Sequence, residues 1–211
     1  MQRRLQRHGL SRVAAGASLA AAVLLGGTLA ALWPDTPGEA SAEVTFARDM
    51  SAHHAQAVDM SVTLFQRAAD PAVKLIAQDI LLTQQAQIGQ MSGWLMAWGR
   101  PLAGREAPMA GMDRQAMGLA SEQEARELAY LPVKETETRY LTLMRRHHQG
   151  GVDMAKLALN TVKRPEVRAF AQRVVTAQTS EIGAIDALLA ARGANPPSAQ
   201  SEPEMDGMHH E

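Results

Sequence analysis

The sequence predicts an all-α protein, a four-helix bundle built from two copies of one helical hairpin. Three observations carry that prediction. Aromatic residues make up only 4 % of the 211-residue chain while Ala, Leu and Met are common, a balance that favours helices over sheets. Stretches with apolar residues at steps of three and four are separated by Pro and Gly. Residues 46–99 also slide onto residues 140–193 without a gap, at an offset of 94 (147 − 53).

The repeat centres on the skeleton M-x-x-H-H-x-x-x-V-D-M. Met50, His53, His54, Val58, Asp59 and Met60 recur as Met144, His147, His148, Val152, Asp153 and Met154. Identities at Pro71/Pro165, Gln84/Gln178, Ile88/Ile182 and Gly99/Gly193 carry the likeness through a second helix. A duplicated hairpin implies a bundle with pseudo-two-fold symmetry.

Taken in order, the chain opens with Arg3, Arg4, Arg7 and Arg12 ahead of an uncharged run, residues 13–33. A basic flank before an apolar segment is the pattern of an export signal, and at about 20 residues also of a membrane anchor. Residues 1–42 are therefore expected to be a signal peptide or an N-terminal hydrophobic anchor helix, plus a linker with a candidate cleavage site at Ala40-Ser41-Ala42. The remainder is exported to the periplasm or beyond, or stays tethered to the outer face of the cytoplasmic membrane.

A first helix is expected from Glu43 to about Ala69, because a residue preceding proline (Asp70 before Pro71) disfavours the helical region. Pro71 suits the first turn of a second helix, which runs to about Trp98 and stops at Gly99. Residues 43–99 are the first hairpin. Residues 100–120 hold Pro101, Gly104, Pro108, Gly111 and Gly118 and form a Met-rich connection. Ser121 with Glu124 makes a capping box that restarts a helix; Pro132 interrupts it, and a longer helix continues to about Lys163. Arg164-Pro165 repeats the break, and a fourth helix closes the second hairpin, 121–193. Residues 194–211 read as a flexible Met/His tail.

Composition removes several functions. A net charge of −1 gives no electrostatic case for nucleic acid. Without cysteine there are no disulfides, thiolate zinc sites or Cys-ligated iron–sulfur clusters. No nucleophile elbow, Walker loop, dinucleotide fingerprint or H-E-x-x-H is present, so no catalytic residue is assigned. Di-iron chemistry in a four-helix bundle needs Glu-x-x-His, and no Glu here has a His three residues later.

The donors that remain are imidazole and thioether. Met50, His53, Ala57 and Met60 share one helical stripe, and Met144, His147, Gly151 and Met154 its copy. His54 and His148 lie about 100° around, so one His of each pair is expected to face inward. The candidate metal ligands are His53, His54, Met50, Met60, Met91, His147, His148, Met144 and Met154. Asp59, Asp153, Gln84 and Gln178 are placed to support them through hydrogen bonds. Met91 is replaced by Ile185 in the second copy, so two equivalent sites are not expected and the first hairpin is the stronger. Met109, Met112 and Met117 in the connection, and Met205, Met208, His209 and His210 in the tail, repeat the same donors where no core is expected, as auxiliary flexible ligands.

Thioether favours Cu(I) and imidazole suits Cu(II), so copper fits the set best, with silver a match for the Met positions. The alternative is a bundle with structural histidines that serves as a non-catalytic interaction module of the cell envelope. On either reading the expected partners are a metal ion, the membrane if the N-terminal segment stays uncleaved, and a second copy of the chain in a homo-oligomer.

With its doubled H-H-x-x-x-V-D-M, the stretch Gln84–Leu95 (Q-Q-A-Q-I-x-x-M-x-x-W-L) and its Met/Gly-rich middle, the chain resembles the DUF305 family of exported bacterial proteins. That resemblance implies a ferritin-like four-helix bundle and, from some members, extracytoplasmic copper binding and tolerance. It points to His53, His54, Met60, His147, His148 and Met154, with Met50 and Met144 beside them. Ile185 stands where the family pattern carries a methionine.

Overall fold

The computed structural model describes residues 36–194. The expected N-terminal hydrophobic helix and the tail donors Met205, Met208, His209 and His210 lie outside them. Five helices follow in order: α1 (Ala42–Arg67), α2 (Pro71–Ala97), α3 (Glu122–Glu127), α4 (Val133–Thr161) and α5 (Pro165–Ala190). There is no strand among the described residues, and none of the described helices is long and apolar enough to cross a membrane.

The punctuation acts as the sequence implies. Ser41 caps α1 through the Val44 N–H, and Asp70 caps α2 through those of Ala72 and Val73, with Pro71 in the first turn. Ser121 and Glu124 form the capping box of α3. Both hairpins finish on a left-handed glycine, Gly99 (φ 65°) and Gly193 (φ 68°), where any side chain would be strained.

α1 packs on α2 and α4 on α5, and the two hairpins meet along α1 and α4. These central helices run antiparallel, since early residues of one meet late residues of the other. Glu43 accepts the backbone N–H of Lys163, and the Tyr140 hydroxyl lies 2.8 Å from that of Ser61.

The core falls into two hydrophobic clusters. One holds Met50, Met91, Met154, Phe170 and Trp98; the other holds Met60, Met144, Tyr140, Ile80 and Ile185. Along α1 the first takes Val44–Met50 and the second Ala57–Leu64, so His53 and His54 fall between; His147 and His148 fall between likewise on α4. A polar layer therefore divides the bundle.

The connection is tied down, not loose. Met109 donates its N–H to the buried Asp49 carboxylate at 2.7 Å, and Gln56 exchanges two hydrogen bonds with the backbone of Ala120. Met109 is 3 % exposed and part of the core, which corrects the expectation that nothing is packed in this segment. Met117 packs against the same cluster, and only Met112 of the three is exposed.

Candidate functional site

All four histidines of the two repeated motifs, His53, His54, His147 and His148, are fully buried. The expectation of one inward His per pair is corrected: His53 and His147 face each other across the α1–α4 interface, while His54 and His148 point into their own hairpins. The His53 and His147 rings lie 3.8 Å apart between centroids, 34° from parallel. Each stands 6.2 Å from its sequence neighbour.

Every ring has one partner, through Nε2. His53 Nε2 is 3.1 Å from the Met117 carbonyl and His147 Nε2 is 3.0 Å from the His53 carbonyl. His54 Nε2 is 2.7 Å from Gln87 Oε1, and His148 Nε2 is 2.7 Å from Glu181 Oε2. These oxygens can only accept, so each Nε2 carries the proton and donates. All four Nδ1 atoms are buried with no hydrogen-bond partner.

Burial disfavours the imidazolium form. It takes the His53 pKa down to about 4, against the Met117 carbonyl, which pulls upward. For His54, burial and the neighbouring His53 bring it to about 3. His147 is pushed well below 6.5 by burial and by the imidazoles around it. At neutral pH these three rings are uncharged, and their Nδ1 atoms are bare lone pairs aimed into the protein interior.

The same layer holds Gln84 and Gln178, 1 % and 2 % exposed, with both atoms of each side-chain amide unpartnered. The Gln178 amide lies over Gly151, where an added Cβ would come within 2.2 Å of its Oε1. An unsatisfied buried polar group costs about 1–3 kcal/mol, so a concentration of them in one layer calls for a ligand or a role.

Several expected relationships differ. Asp59 is exposed and Asp153 is engaged by Gln149, so neither supports an imidazole. The residues that do are Gln87 and Glu181. Gln87 was not legible as a site residue by type, yet the 94-residue offset pairing His54 with His148 also pairs Gln87 with Glu181. The two methionines of one motif do not share a site either: Met50 joins Met154 and Met91 in one cluster, and Met60 joins Met144 in the other. Antiparallel packing of α1 on α4 causes this, because the start of one motif lies beside the end of its copy.

Among the described residues no three His, Asp or Glu side chains form a ready-made group for a metal ion. A metal held here has to draw on thioethers or amides as well as on Nδ1. The residues fit that demand: a neutral imidazole whose other nitrogen donates to a carbonyl, amide or carboxylate is the usual form of a ligating histidine.

The model of the family described as "Domain of unknown function (DUF305)" matches residues 43–189. A solved DUF305 protein from Streptomyces coelicolor, described as secreted, is 41 % identical, with a TM-score of 0.70 over 75 % of this chain and 98 % of that one. A DUF305 fragment from Deinococcus radiodurans is 37 % identical, with a TM-score of 0.66 over 75 % and 99 %. CopM in its Cu(I)-bound form shares the fold at 24 % identity, with a TM-score of 0.54 over 71 % and 96 %. No curated protein matches the chain.

Proposed function

We propose that this chain, which belongs to the DUF305 family, is an exported copper-binding protein that sequesters copper or passes it on without catalysis. One observation carries the reading: four buried imidazoles, each donating through Nε2, leave four unpartnered Nδ1 atoms in one layer between methionine-bearing clusters. The solved structures of CopM with Cu(I), Cu(II) and silver, and a relative described as secreted, support the direction of this reading through shared fold and family.

Copper is the cargo, and the chain supplies the grip. Nδ1 of His53, His54, His147 and His148 are the nitrogen donors; Met50, Met60, Met91, Met144 and Met154 are the thioethers in the flanking clusters. The Met117 and His53 carbonyls, Gln87 and Glu181 fix the ring orientations before any ion arrives. His53, His54 and His147 are already uncharged at pH 7, so uptake at these rings displaces no proton.

Anaerobic titration with Cu(I) against a chromophoric chelator tests the reading. Stoichiometric uptake by the wild type, reduced in the double variant His53→Ala/His147→Ala, is the expected result. No uptake by the intact protein refutes it. The second reading, structural histidines in an envelope interaction module, draws on the lack of a three-residue His/Asp/Glu metal group among the described residues. Under it the double variant melts at lower temperature and metal content stays the same.

A further inference from the structure

Helix α2 carries a second apolar face that nothing in its own bundle covers. Val73, Ala77, Ile80, Gln84, Met91 and Leu95 are buried on the inner side. Leu75 lies two residues on from Val73, about 200° around the helix, and starts a stripe on the outer side. Leu75, Leu82 and Met96 are 59 %, 60 % and 65 % exposed, and with Gly89 they recur every seven residues. Asp79, Ala86 and Gly93 fall four residues after successive members of that row. Alternating steps of four and three over more than three heptads form a seam suited to a second helix.

The duplicated hairpin supplies an internal comparison. At the equivalent places on α5 stand Ala169, Thr176 and Ala190 instead of Leu75, Leu82 and Met96. α5 also carries Arg173, Glu181 and Asp186, whereas residues 80–99 hold no charged side chain. The hairpin fold therefore does not require large apolar residues on this face. Nor does it require both glycines of the seam. An added Cβ at Gly89 or Gly93 meets nothing within 4 Å, and glycine inside a helix costs stability relative to alanine.

We propose that the outer face of α2 is the surface on which two copies of this chain dock, α2 antiparallel against α2. The seam is complementary to itself in that direction. One register sets Leu82 against Ala86 of the second copy, Leu75 against Gly93, Met96 against Ala72 and Asp79 against Gly89. Each large side chain then meets a small one, and the two-fold axis repeats every contact. The flanks, Gln78, Gln85 and Ser92 on one side and Thr83 and Gln90 on the other, are polar without charge, so no like charges oppose each other. A lipid tail or a wholly apolar helix offers Asp79 and these amides no partner, whereas a second copy brings matching ones. Residues 72–96 span about 36 Å, and a helix-wide strip of about 10 Å gives roughly 360 Å² per copy. That is under half of the about 800 Å² per partner of a standard interface, so the dimer is a weak, concentration-dependent one.

The full chain in detergent, with a chelator present to exclude metal, tests the docking. It has no cysteine, so introduced thiols report alone. Leu82→Cys mixed with Ala86→Cys is expected to give a disulfide-linked dimer on mild oxidation, in excess over either variant alone. The equivalent α5 mixture, Thr176→Cys with Ser180→Cys, is expected to give none. Leu82→Glu sets a carboxylate into the seam and should weaken self-association at least about tenfold in sedimentation equilibrium, while Thr176→Glu leaves it unchanged. Leu82 is exposed, so Leu82→Glu should keep the wild-type melting temperature in dilute solution, which separates lost docking from lost folding. Equal cross-linking of both mixtures overturns the proposal, as does cross-linking confined to Leu82→Cys alone, the mark of parallel pairing. A protein that stays monomeric up to about 1 mM overturns it as well. A Leu82→Cys thiol shielded from maleimide in that monomer assigns the face to another segment of the same chain.

Discussion

Glu43 and Glu137 occupy equivalent places in the two hairpins, and each closes the turn of the other. Glu43 Oε1 accepts the N–H groups of Lys163 and Arg164, between α4 and α5. Glu137 Oε1 accepts those of Ala69 and Asp70, between α1 and α2, at 2.8 Å each. The duplicated unit thus satisfies its turn only through its partner copy, which couples the hairpins in folding.

Glu137→Ala leaves two backbone donors without their acceptor and is expected to cost about 1–3 kcal/mol, read as a lower urea midpoint at unchanged slope. For Glu43, burial pushes the carboxyl up, but the N–H groups of Lys163 and Arg164 outweigh it and its pKa lies below the ordinary 4.5. Its contribution is therefore complete above about pH 4.5 and is lost as pH falls through the lower folded-state value. Glu43→Gln should flatten that part of the stability curve.

The histidine layer acts on stability higher up the pH scale. His53 and His54 titrate near 4 and 3 in the folded chain and near 6.5 when unfolded, so the unfolded state binds more protons between those values. Stability should be full above about pH 6.5 and fall as pH drops towards 4. Urea melts at half-unit intervals check this, with His54→Gln reducing the slope; a flat profile from pH 7 to 4.5 contradicts it.

Two glycines separate packing from propensity. At Gly150 an added Cβ would lie 1.8 Å from the Met117 carbonyl, the acceptor that His53 uses. Gly150→Ala is expected to cost about 1–3 kcal/mol and to change the His53 ring environment by NMR. Gly89 in α2 has nothing within 4 Å of an added Cβ. Gly89→Ala should raise stability by about 0.5–1 kcal/mol on thermal melting.

The duplicated outer histidines differ in their partner, an amide for His54 and a carboxylate for His148. A carboxylate raises the donor strength of the imidazole it orients. On the proposed copper function, Glu181→Gln should weaken Cu(II) binding by about 10–100-fold, and Gln87→Glu should strengthen it. Isothermal titration on both variants reads the pair, and equal affinities remove the role of Glu181.

The helices, their ends and the duplication were legible in the chain because they rest on local rules. Pro71 and Pro165 start helices, Gly99 and Gly193 stop them, and a gapless 94-residue offset can be seen without coordinates. The candidate histidines were legible as well, since imidazole pairs flanked by thioethers have few bland explanations. What sits across from each of them was not. Helical spacing says which residues share a face of one helix, and it put Met50 with Met60 and Asp59 beside an imidazole. Only the antiparallel docking of α1 on α4 decided that Met50 meets Met154, that both histidines of each pair are buried, and that Gln87 and Glu181 hold the outer rings. The sequence by itself determined the hairpin and its repetition through periodicity and capping. The tertiary structure decided which copies of the motif share a core, because that depends on the direction in which two helices cross.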